Sequence, residues 1–239
     1  MNGIELNRPQ APINRASHAV VTVLGVLLGI SSIDHGVFEM MQGNHPTPGN
    51  LIKAQGPGHM WSVWTQGSEP AFTLVHNFLL TGALATLAGL LLVLWSLRFF
   101  SRRQGAAGFL LLSVFSYVVG GGLAQLYLFL LNWLVATRLR SSLAFWRWIL
   151  PPLLRRILRR CWPWTLAATV LFFLTALWIS GIGFFPGLPS HRAVLYRILL
   201  VLGAGILVAL FLSVASAFAA DVDARQTACG QAPVASPQA

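Results

Sequence analysis

Asp34, His35 and Glu39 close the first apolar stretch, in ISSIDHGVFEMMQGN, and His76 sits in the second, in EPAFTLVHNFLL. The chain has only 6 acidic residues and 6 His among 239. Ionisable groups at bilayer depth cost roughly 2.5–3.5 kcal/mol each on insertion scales, so they need a partner or a task. His35 and Glu39 are spaced i, i+4 and share a helix face, while Asp34 points about 100° away. Three chemistries use these side chains. Imidazole and carboxylate are ordinary ligands of a divalent metal, with His35, Glu39 and His76 as the candidates. The same groups relay protons or hold a cation in a carrier. Two His on facing helices can ligate haem iron. A fourth reading has no chemistry: the groups hydrogen-bond one another and pin a loop to the helix ends. The spacing fixes neither cofactor nor catalytic residue, because HxxxE recurs by chance and no HExxH or EF-hand pattern is present.

The elements that must position these residues read as membrane helices. The chain is 56% hydrophobic and 9% charged, with mean hydropathy +0.69. A soluble domain carries about 25% charged residues. An all-α integral membrane protein is therefore expected, a multi-pass helical bundle of the cell membrane. Candidate spans of about 20 apolar residues fall at 18–40, 71–99, 107–136, 164–185 and 194–220. Residues 1–17 form a polar N-terminal segment, 18–220 the transmembrane domain, and 221–239 an Ala/Gln/Pro/Ser-rich tail expected to be disordered. The apolar run from Ala19 has no small-x-small site after it, so it reads as a retained helix. The stretch 42–69 lacks a helical period and reads as an ordered outer loop anchored by Trp61 and Trp64. Ser68-Glu69-Pro70 reads as a helix start. His76 would then lie about 9 Å inside that helix. Chain reversal through the loop predicts one polar cluster of Asp34, His35, Glu39 and His76.

The third stretch contains Gly120-Gly121-Gly122 between two short apolar arms. It is either one tilted helix, giving five spans, or a re-entrant hairpin, giving four. A single crossing puts 7 basic residues on the side of the N-terminus and 9 opposite. Re-entry divides the same 16 basic residues 13 to 3, and the positive-inside rule favours that split. Gly25, Gly29, Ser32 and Gly36 form a small-residue stripe, with Gly82, Ala85 and Gly89 as its expected opposing face.

Lys53 is the only lysine among the 16 basic residues, and the formal charge is +10. The Arg residues fall between apolar segments, so topology and anionic lipid explain them before nucleic acid does. No nucleic-acid recognition motif is present. Residues 138–162 form a basic amphipathic segment. Leu153, Leu154, Ile157 and Leu158 occupy one arc, and Arg155, Arg156, Arg159 and Arg160 the other. A helix lying in the interface on anionic lipid is expected, ended by Pro163. Cys161 and Cys229 are too few for a disulfide framework or zinc motif. Neither GxSxG nor a phosphate-binding loop occurs.

The pattern Asp34-His35-Gly36-x-Phe38-Glu39, then Gln42-Gly43-Asn44, Pro46, Gly56-Pro57, Trp64, Gly67 and Glu69-Pro70-Ala71, resembles a family of uncharacterised prokaryotic polytopic membrane proteins. Gly120-Gly121-Gly122 and Ala136-Thr137-Arg138 through Trp146-Arg147 extend the resemblance over residues 20–165. It implies membrane topology and carries no activity. Three functional classes stay open. The first is a non-catalytic membrane component, packing against partner helices or a second copy. The second is a small transporter or proton-linked carrier. The third is a metal-dependent membrane enzyme.

Overall fold

The structure is a computed structural model that describes residues 12–54, 70–182, 186–187 and 192–230. Among these residues seven helices and two short strands follow in chain order. They are α1 (Arg15–Met41), β1 (Leu51–Lys53), β2 (Pro70–Phe72), α2 (Phe78–Arg98), α3 (Gly105–Val118), α4 (Gln125–Thr137), α5 (Ala144–Ile149), α6 (Pro152–Ile182) and α7 (Arg192–Gly230). Four of them, α1, α2, α6 and α7, are long and apolar enough to cross a membrane. At 1.5 Å per residue α1 is about 40 Å long and α2 about 31 Å, against a hydrocarbon core of about 30 Å.

α1 is the central helix: 61% of its apolar window is buried, against 33%, 22% and 28% for α2, α6 and α7. Its small-residue stripe packs on α2 as the spacing predicts. A Cβ added at Gly29 would lie 2.8 Å from the Gly89 carbonyl oxygen, and one at Gly36 would lie 2.5 Å from that of Gly82. The two backbones touch, which only glycine allows at these four positions. Leucines such as Leu87, Leu94 and Leu97 on the outside of α2 stay exposed.

The second apolar stretch begins later than expected. Pro70–Phe72 is a strand, paired antiparallel with β1 in the register Leu51↔Phe72, Ile52↔Ala71 and Lys53↔Pro70. The helix starts at Phe78, where the Asn77 side chain accepts a hydrogen bond from the Leu80 N–H at 3.1 Å. Asn77 is a better cap than Ser68-Glu69-Pro70, because its side-chain oxygen satisfies an orphan N–H at the helix start. Ser68, Glu69, His59, Trp61 and Trp64 lie outside the described residues.

The third stretch is two short helices. α3 and α4 have 14 and 13 residues, about 20 Å each and short of a membrane core. They are joined by Val119–Ala124, with Gly120 at φ +109° and Gly122 at φ +60°. That left-handed backbone is one that L side chains rarely adopt. The Gly105 N–H donates to Arg102, just after α2. The far end of α4 returns to the start of α1, where the Asn14 N–H donates to the Leu139 carbonyl at 2.8 Å. Both feet of the hairpin therefore stand at the same end of the bundle, the basic end. Its glycine turn reaches the opposite end, the tip end. There it extends the small sheet: Gly120 N–H donates to Phe72 (3.0 Å), Leu123 N–H to Pro70 (3.0 Å) and Leu74 N–H to Val118 (2.9 Å).

Arg155, Arg156, Arg159 and Arg160 do not form a separate interfacial helix. They lie in the first turns of α6, which runs unbroken through Pro163. Proline removes one backbone donor, a loss that membrane helices tolerate when neighbours re-satisfy the freed group. The tail differs as well. α7 continues to Gly230, because its acidic residues find partners on other helices. Asp221 accepts from Ala16 N–H (2.9 Å), Ser17 N–H (2.8 Å) and the Ser17 hydroxyl (2.6 Å). Residues 231–239 lie outside the described residues. α6 and α7 pair through hydroxyls, Thr165 with Ser216 and Thr169 with Ser213, both at 3.1 Å.

Candidate functional site

The face of α1 that meets the α3–α4 hairpin carries a line of buried polar side chains. Ser32 is fully buried and donates to the Leu28 carbonyl (3.1 Å) and to Gln125 Oε1 (3.2 Å). Ser116 of α3 donates to the Ser32 hydroxyl at 3.0 Å, and the Gln125 amide donates to Ser31 at 2.8 Å. Seven residues along α4, Asn132 donates to the Val21 carbonyl at 3.2 Å. Helix–helix hydrogen bonds of this kind fix the hairpin against α1 in an apolar setting.

The predicted site residues continue this line toward the glycine turn. His35 is 4% exposed and Glu39 fully buried. They stack one turn apart, and each rests on a glycine of the turn. A Cβ on Gly122 would lie 2.8 Å from His35 Nε2 and 3.1 Å from the Gln125 amide nitrogen. A Cβ on Gly120 would lie 2.6 Å from Glu39 Oε1 and closer still to Oε2. Only a glycine turn leaves room for both side chains. Neither carboxyl oxygen of Glu39 has a hydrogen-bond partner among the described residues. A buried ionised carboxylate without a partner is among the costliest arrangements in a protein. Such a group is therefore a candidate for chemistry rather than for holding the fold.

The other two predicted members lie elsewhere. Asp34 is half-buried on a different face of α1, and its Oδ1 lies 3.9 Å from where a Cβ on Gly181 of α6 would stand. At 100° per residue, Asp34 points about 100° away from His35 and about 140° away from Glu39. His76 precedes α2 instead of lying within it, and it is exposed. Its backbone carbonyl accepts from the Thr47 N–H at 3.4 Å. The four-residue cluster is thus a two-residue one, His35 and Glu39, because the chain between Pro70 and Asn77 is strand and loop. Among the described residues no group of three or more His, Cys, Asp or Glu converges to hold a metal ion.

The basic segment has its own geometry. Arg155 and Arg159 reach Asp223 of α7 at 2.8 and 3.4 Å. The Arg155 contact is close but off the hydrogen-bond axis. Arg156 and Arg160 are exposed. The sequence pattern does not single out Ser31, Ser116, Gln125, Asn132 and Asp221, and it marks Ser32 only as a small residue of the α1 stripe. A usable signal existed for Gln125 and Asn132, which are polar residues inside an otherwise apolar stretch.

No family model, curated protein or solved structure matches the chain.

Proposed function

We propose that this chain is a multi-pass protein of the cell membrane with four crossings and one re-entrant hairpin. It serves as a non-catalytic component that packs through its helix faces. Its basic end lies in the cytoplasm and rests on anionic lipid. The observation that carries this reading is where the hairpin feet stand, since Leu139 is bonded to Asn14. With both feet at one end, 12 of the 15 basic residues among the described residues fall to that side, and Lys53, Arg192 and Arg197 to the other. That is the division the positive-inside rule favours. A non-helical turn at membrane depth is tolerated when protein surrounds it, and β2, α1 and α3 surround Gly120–Gly122. Arg156 and Arg160 project from α6 beside the exposed Leu153, Leu154 and Ile157. This suits contact with acidic headgroups, at about 1 kcal/mol per basic residue near the surface. The backbone-to-backbone contact of α1 and α2 suits a packed structural core. The surface crevice lined by Leu24, Leu27, Leu128, Phe173 and Leu210 is almost wholly apolar, unlike the convergent polar groups of an enzyme site.

Cysteine accessibility tests the arrangement. In a background with Cys161→Ser and Cys229→Ser, a Ser141→Cys variant should label from the cytoplasmic face and a Pro48→Cys variant from the outer face. Labelling of Ser141→Cys from the outer face alone would establish five single crossings and overturn the reading.

A further inference from the structure

The buried carboxyl of Glu39 has no role in the reading just given. It sits on the last turn of α1, fully buried, with both oxygens unpartnered and the Cα of Gly120 closed over them. We propose that Glu39 is a proton-binding site embedded in the membrane, occupied by a proton when the glycine turn is closed on α1.

The surroundings single out a proton over other cations. A metal ion needs several oxygen or nitrogen ligands around it, and the described residues bring no group of three such side chains together. There is also little room, since even a methyl group at Gly120 would collide with both carboxyl oxygens. A proton needs no ligand shell. It converts the costly charge into a neutral acid at the carboxyl itself. Among the described residues the elements packed around Glu39 supply no countercharge. On α1 the nearest titratable neighbour is His35, one turn away, with its ring against Gly122. Asp34 is on another face, against Gly181. The turn Val119–Ala124 has no ionisable side chain, and α2 is free of charge until Arg98 at its far end. β2 (Pro70–Phe72) is uncharged and bonds the turn through its carbonyls, while Tyr117 of α3 stacks on Phe72 with ring centroids 5.4 Å apart. His45 and His76 are exposed in the flanking loops.

The same geometry provides a route for exchange. The glycine turn is held by backbone hydrogen bonds to β2 at the tip end of the bundle. A small displacement of that cap uncovers the carboxyl to water. Glu39 then releases its O–H proton to a water molecule and becomes a carboxylate, and the reverse step reloads it. On the inward side His35 and the Ser31, Ser32, Ser116 and Gln125 set continue the polar line.

Infrared spectroscopy of the full-length protein in lipid tests this directly. The difference between wild type and Glu39→Gln at neutral pH should contain one carboxylic-acid C=O band that shifts in D2O. The band should be lost at alkaline pH and retained in Asp34→Asn. A Glu39→Asp variant should keep a displaced acid band, which covers the case in which Glu39→Gln does not fold. A difference spectrum showing only carboxylate bands at neutral pH would overturn the proposal. So would an acid band that survives in Glu39→Gln and vanishes in Asp34→Asn. Neither outcome depends on which face of the membrane Ser141 occupies, so the topology stands or falls separately.

Discussion

Two buried carboxyl groups lie at opposite ends of this bundle, and they are treated differently. Asp221 is 4% exposed and accepts three hydrogen bonds, two of them from backbone N–H groups in the first turn of α1. That helix has no acidic residue of its own in its first turn. Asp221 supplies the negative charge from 200 residues away and complements the positive end of the helix dipole. Arg225 strengthens the same corner by donating to Asn14 Oδ1 at 2.8 Å and to the Pro12 carbonyl. Glu39 is more deeply buried, and its oxygens have no hydrogen-bond partner among the described residues. It sits near the C-terminus of α1, where the dipole disfavours a negative charge. One carboxylate joins the two termini of the fold. The other is a liability that the fold retains. Burial alone therefore does not tell structure from function in an apolar protein; the partners do.

This contrast is open to attack from several sides. The largest effect is expected at the basic end. Asp221→Ala removes three hydrogen bonds and leaves two helix-start N–H groups buried, a loss of about 2–4 kcal/mol. Thermal unfolding in a fixed detergent should show a clearly lower midpoint. A midpoint equal to wild type would mean that the corner is held by Arg225 and Asn14 without Asp221. Next comes the turn itself. Gly120→Ala forces a side chain into φ +109° and onto the Glu39 carboxyl, at about 1–3 kcal/mol. Adding Glu39→Ala should return part of that loss, because it removes the collision and leaves the backbone strain. Strict additivity of the two changes would show that Gly120 and Glu39 do not touch. The smallest effect belongs to the half-exposed pair. Arg159→Gln should change stability by about 0–1 kcal/mol, and less at high salt. Replacing Arg156 and Arg160 by Gln should leave stability unchanged but weaken retention of acidic lipid by the purified protein. Equal lipid retention in wild type and variant would show that these two residues read no headgroup charge.

How much of this was legible in the sequence follows from the range of the interactions. Local signals read well. The α1–α2 seam was visible because Gly25, Gly29 and Gly36 recur at helical spacing and find Gly82 and Gly89 opposite. The four long apolar helices were visible because hydrophobic length is a property of each segment alone. The glycine triplet was seen as a break, though its direction rested on a charge count. What failed depended on pairing across the chain. Pro70–Phe72 is strand because β1 and the glycine turn flank it, and no period within EPAFTLV reveals that. His76 was misplaced as a consequence. The helical tail was missed because the partners of Asp221 and Asp223 are Ser17 and Arg155, far away in sequence. Pro163 reads as a terminator from its missing N–H alone, yet α6 runs through it. Of the four proposed site residues, the two that share a helix face stayed together, and the two whose depth or direction was inferred did not.

Asp221 holds the fold together and Glu39 does not. The most direct test is parallel thermal unfolding of Asp221→Asn and Glu39→Leu, purified and measured in the same detergent. Replacing an unpartnered buried polar group by an apolar one of similar size is near neutral or stabilising, whereas removing one partner of a satisfied network is costly. The account predicts that Asp221→Asn unfolds at a lower temperature than wild type, while Glu39→Leu matches or exceeds wild type. A Glu39→Leu protein that loses as much stability as Asp221→Asn would contradict it.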